Sequence, residues 1–88
     1  MRMGETALGE TRETTSACLG RVLRGLRLAV GLDQAVLAAE LDVTAEEIDA
    51  FERGVSEPPL ITLGEMAELF DVPFTVLLEA VFGEGEAA

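Results

Sequence analysis

The chain has no histidine, no lysine and no tyrosine, and its only cysteine is Cys18. One thiol cannot form an internal disulfide, which accords with a reducing compartment. Without histidine there is no zinc or haem spacing, and the acidic residues show no calcium-loop pattern, so no metal and no cofactor are expected. No nucleophile stands beside a base, and the pair Glu46-Glu47 reads as acidic residues favoured at a helix start, so the chain is not expected to be an enzyme or to take a small-molecule substrate. Long apolar runs are missing too. Met1 to Glu13 carries glutamate and glycine where a secretion signal would be apolar, and no stretch could span a bilayer, so no membrane is expected and the cytoplasm is the expected location.

What is present is acid. The formal net charge over 88 residues is −11, all six bases being arginine. The balance is uneven: residues 16–30 sum to +3, residues 31–57 to −7 and residues 58–88 to −6. Most of such a surface repels a phosphate backbone. Acidity without lysine also occurs in proteins adapted to high salt, against which the high apolar content argues.

Apolar residues recur at helical spacing, and neither a strand pattern nor an internal repeat occurs. Residues 1–15 are polar and aperiodic and read as a flexible N-terminal arm, residues 16–83 as one helical domain, and residues 84–88 as a disordered tail. The first helix is expected from about Cys18 to Val30, capped by Thr15 or Ser16 and ended by Gly31. Leu19, Val22, Leu23, Leu26 and Val30 form its apolar face, with Cys18 half-buried on it. Arg21, Arg24 and Arg27 repeat every third residue, either as a solvated face or as a phosphate contact. Asp33 caps a second helix over Gln34 to Leu41, with Leu37, Ala38 and Leu41 inward. After Asp42-Val43, Thr44 and Glu47 form the Thr-x-x-Glu capping box of a third helix, with Ile48 and Phe51 inward and Gly54 at its end. Pro58 and Pro59 stop any helix from running through. A fourth helix is expected over Leu60 to Phe70, burying Leu60, Leu63, Met66, Ala67 and Phe70. A fifth covers Phe74 to Phe82.

Two short helices joined by a brief turn point to helix-turn-helix. The ordered set Gly31-Leu32-Asp33-Gln34, Leu37-Ala38, Leu41, Val43-Thr44, Ile48, Glu52-Arg53-Gly54 and Pro58 resembles the lambda-repressor/Cro family, or XRE-type regulators. Leu60, Thr62-Leu63, Ala67, Val72-Pro73 and Leu77-Leu78 continue the resemblance, without gaps, from about Leu19 to Val81. It implies an all-α, five-helix lambda-repressor-like domain whose third helix reads DNA, and a buried structural ion pair, here Arg27 with Glu52. It also implies a DNA-facing set of Gln34, Thr44, Ala45, Glu46, Ala50 and Arg53, to which Arg24 is added from the arginine row as a phosphate contact.

The chain departs from that family where bases and phosphates are met. The recognition helix opens Ala45-Glu46-Glu47 and continues with Asp49 and Ala50, and the loop after it is Val55-Ser56-Glu57 rather than basic. The expected partner is therefore DNA, bound weakly or conditionally. The alternative is a protein-interaction module, of anti-repressor or DNA-mimicking kind, using the acidic helix and an apolar patch. Leu28, Val30, Ala35, Val36, Ala39 and Ile61 stand where the resemblance places solvent. Phe74, Leu78, Val81 and Phe82 serve either core closure or a dimer or partner contact, so a homodimer is expected alongside either partner.

Overall fold

Helix α1 spans Thr15–Ala29 in a computed structural model that describes residues 15–83. The expected arm up to residue 14 and the tail 84–88 lie outside those residues. Already helical at Thr15, α1 uses neither Thr15 nor Ser16 as its cap; the Ser16 hydroxyl instead donates to Glu57 Oε2 at 2.6 Å. Leu19, Leu23 and Arg27 are buried on one side, and Cys18 is half-buried with a free thiol. Val30, expected on the apolar face, lies past the end of the helix and is exposed. Gly31, at φ 80°, turns the chain, and the N–H groups of Gly31 and Leu32 donate to the Leu28 and Arg27 carbonyls at 3.1 Å each. A side chain is disfavoured at that φ, which is why glycine marks the stop.

Helix α2 covers Gln34–Leu41, and Asp33 Oδ1 accepts from the Val36 N–H at 2.9 Å at its start. Asp42 takes the left-handed conformation (φ 61°) and reverses the chain into α3, Ala45–Glu52. Thr44 Oγ1 accepts from the Glu47 N–H at 3.0 Å, and Glu47 Oε1 from the Thr44 N–H at 2.9 Å, so both halves of the capping box are made. Gly54, at φ 76°, follows the end of α3. Helix α4 spans Leu60–Phe70 and buries Leu63, Met66, Ala67 and Phe70. Leu60, expected in that stripe, is 59 % exposed, and Ile61 beside it is 78 % exposed, so the first turn of α4 is left uncovered.

Helix α5 keeps α geometry only over Phe74–Leu78 and widens into a π turn at Glu79–Gly83. The π turn packs on α1, with Leu77 and Ala80 buried. Among the described residues, five helices and this turn close over one core whose large, fully buried side chains are Leu19, Leu23, Leu37, Ile48, Leu63, Met66 and Leu77. No strand occurs among the described residues.

Two close approaches fix α3 against α1. A Cβ on Gly20 would lie 2.5 Å from the carbonyl oxygens of both Phe51 and Glu52, and one on Gly54 would lie 2.7 Å from Ala17 Cα. The end of α3 therefore rests directly on the backbone of α1.

Candidate nucleic-acid interface

Ile48, Phe51 and Glu52 turn inward from α3, leaving the side with Glu46, Asp49 and Ala50 outward. The inward side is locked by charge as well as packing. Arg27 Nε donates to Glu52 Oε2 at 2.6 Å and Arg27 Nη2 to Glu52 Oε1 at 3.0 Å, while Nη1 donates to the Leu32 carbonyl at 2.8 Å. Only 6 % of Arg27 and 8 % of Glu52 is exposed. The Glu52 hydrogen bond outweighs burial and holds the guanidinium above its ordinary pKa, with the charges of Glu52 and Asp33 adding to it. Two parallel N–H···O bonds suit a planar fork, so arginine rather than lysine belongs here. The every-third-residue arginine row accordingly does not stay on one side: each step of three falls short of a full turn by about 60°, and by Arg27 the row has rotated into the core.

Gln34, the first residue of α2, reaches across to α3. Its Nε2 donates to Glu52 Oε1 at 3.1 Å and to Asp49 Oδ1 at 3.3 Å. One turn further along α3, Arg53 Nη1 donates to Asp49 Oδ2 at 3.1 Å in an exposed pair. Arg53 first, and Gln34 second, hold the Asp49 carboxyl below the usual carboxylate range. These side chains border a shallow depression lined by Gln34, Ala45, Glu46, Asp49, Ala50, Arg53 and Val55.

Five residues of the expected DNA-facing set, Gln34, Ala45, Glu46, Ala50 and Arg53, thus share one surface. Thr44 stands at the N-terminal edge of α3 with its hydroxyl engaged as the cap. Arg24 is exposed on α1 and does not line the depression. Asp49 lies between Gln34 and Arg53 although it was not in that set; its spacing of four residues before Arg53 was the available signal. Glu57 is drawn to Ser16, and Glu47 is part of the capping box. On α5 and its π turn, Phe74 and Phe82 are exposed while Leu78 and Val81 are half-buried. Among the described residues no group of three or more Cys, Asp or Glu side chains could hold a metal ion, and no helix is long and apolar enough to cross a membrane.

A capped helix, a left-handed turn residue and a second helix pinned at its far end define a helix-turn-helix unit within a five-helix domain. The chain belongs to the XRE-type helix-turn-helix family of DNA-binding transcriptional regulators: the family model described as "Helix-turn-helix" matches residues 23–77. Among solved structures, the chain is similar to the restriction-modification controller protein C.AhdI from Aeromonas hydrophila. The two are 30 % identical over 69 % of this chain and 92 % of that one, with a TM-score of 0.65. The clp gene regulator ClgR from C. glutamicum shares the fold at 22 % identity over 88 % of this chain and 97 % of its own, with a TM-score of 0.72. Hydroxypropylphosphonic acid epoxidase from S. wedmorenis matches at 32 % identity and a TM-score of 0.65 over 74 % of this chain, but over only 35 % of the epoxidase, so the likeness is to one part of that enzyme. No curated protein sequence matches the chain.

Proposed function

We propose that the chain is a transcriptional regulator that binds duplex DNA as a homodimer, seating the outward side of α3 in the major groove with an affinity limited by its own carboxylates. The observation that carries this reading is the single surface shared by Gln34 from α2 and Ala45, Glu46, Ala50 and Arg53 from α3 and its end. A helix held so rigidly by its inner side presents its outer side at a fixed angle, which groove insertion requires. C.AhdI is by its name a controller protein, which supports this reading.

Glu46 is exposed at the first turn of α3, where a base edge would lie, and Asp49 stands one turn further on. A carboxylate there can accept from a cytosine amino group but gains no counterion release. Arg24 supplies a backbone contact, Arg53 borders the same surface beside Asp49, and Thr44 sits at the entry to the groove. Phe74, Leu78, Val81 and Phe82 pair the two copies, so that their α3 helices meet half-sites roughly 34 Å apart, one turn of the duplex.

The test is a titration of the chain against random duplex DNA at two salt concentrations, beside a sizing measurement. The expected result is a complex at low salt whose affinity falls steeply as salt rises, on a species of dimer mass. Absence of any complex at low salt would overturn the reading. A second reading, a protein-interaction module for a basic partner, is favoured by one observation: Glu46 and Asp49 adjoin Ala45, Ala50 and Val55 in the same depression. It predicts that duplex DNA is ignored at every salt concentration, and that Glu46→Gln with Glu47→Arg creates DNA binding where the wild type has none.

A further inference from the structure

Two donors of the proposed DNA-facing surface meet one acceptor within the chain. Asp49 Oδ2 accepts from Arg53 Nη1 at 3.1 Å, and Asp49 Oδ1 accepts from Gln34 Nε2 at 3.3 Å. Both carboxylate oxygens are therefore engaged by groups that would otherwise be offered to phosphate oxygens, and a carboxylate and a phosphodiester make the same demand on a guanidinium. Among the described residues, Arg53 is the one base lining the depression. Arg27, buried against Glu52 and the Leu32 carbonyl, cannot take its place.

We propose that Asp49 is an internal stand-in for a DNA phosphate, withholding Arg53 from the duplex and so setting the affinity of the interface. The inference rests on the DNA-binding reading above. It concerns Arg53 more than Gln34, because Gln34 keeps its bond to Glu52 Oε1 at 3.1 Å when Asp49 is removed. The Asp49–Arg53 pair is exposed, with side chains 43 % and 66 % accessible. Exposed pairs one helical turn apart are weak, so a phosphate can displace the carboxylate, and the pair by itself restrains Arg53 only about two-fold. Displacement still leaves a negative charge beside the phosphate, which maintains the restraint in the complex. Arg53 first, and Gln34 second, hold the carboxyl below the usual range, which favours its charged, accepting form.

The experiment is a double-mutant cycle on the full chain, titrated against random-sequence duplex DNA with wild type, Asp49→Ala, Arg53→Gln and the double variant. Asp49→Ala is expected to bind several-fold more tightly. Between ~50 and ~200 mM salt its affinity is expected to fall further than that of wild type, by up to about 3.5-fold, the loss for one whole additional neutralised phosphate. Arg53→Gln should cost little in the wild-type background and several-fold in the Asp49→Ala background. Asp49→Asn, close in shape, should reproduce this coupling, since a neutral amide holds a guanidinium less well. Glu46→Gln removes the same charge from the same depression without touching either donor, and must leave the effect of Arg53→Gln small. If Arg53→Gln costs the same in all backgrounds, Asp49 does not withhold Arg53, and the proposal fails while DNA binding stands. If the gain from Asp49→Ala matches that from Glu46→Gln and survives Arg53→Gln, charge alone explains it and the proposal again fails. No complex with any variant at low salt overturns this inference and the DNA-binding reading together.

Discussion

At the scale of single residues, the most consequential is Arg27, which satisfies the buried Glu52 carboxylate and the Leu32 carbonyl at once. Arg27→Met leaves a carboxylate buried without its counter-charge, and the expected loss is roughly 3–5 kcal/mol in denaturant unfolding. The companion double variant Arg27→Met with Glu52→Met should recover part of that loss, since two apolar side chains need no partner. Gly20 is the second such residue. Its Cβ position overlaps the Phe51 and Glu52 carbonyl oxygens, which are backbone and cannot swing aside. Gly20→Ala must push α3 away from α1, and a cost of about 1–3 kcal/mol, typical of overpacking, is expected in the same assay. Little of this residue-level detail could be read from the sequence. The family resemblance named Arg27 and Glu52 as a pair, but the Gln34–Asp49 bond joins two helices through a flexible amide, whose rotamer is chosen only when both helices are in place. Gly20 resembles any small residue on a helix until the carbonyls opposite it are known.

At the scale of elements, local rules went far. Asp33, the Thr44–Glu47 box, Gly31 and Gly54 mark helix limits by their own chemistry, and α2, from Gln34 to Leu41, falls where the cap and the periodicity put it. Thr44→Ala removes the hydroxyl that satisfies the Glu47 N–H and is expected to cost about 1 kcal/mol of stability, measured by thermal or denaturant unfolding. The elements that differed did so for tertiary reasons. Leu60 has the spacing of a core residue, yet the first turn of α4 is left uncovered. The stretch after Leu78 is apolar enough for an α-helix but widens into a π turn where it packs on α1. Periodicity carries neither the packing partner nor the pitch.

At the scale of the whole molecule, the order of five helices was legible because each short signal agreed with the next. Assembly is a separate matter. Phe82 is 68 % exposed at the end of the domain, and Phe74 is exposed on the same terminal segment. Phe82→Glu should leave monomer stability within about 0.5 kcal/mol of wild type, as expected for an exposed site. In the proposed dimer it should shift the sizing profile to monomer mass at concentrations where the wild type is paired. The guanidinium of Arg27 joins three parts of the chain at one point: α1, the connection into α2, and the last turn of α3. Those parts cannot open independently. In native-state hydrogen exchange, the Leu32 amide and the inner amides of α3 should therefore report a single shared opening free energy, and Arg27→Lys should lower it for all of them together.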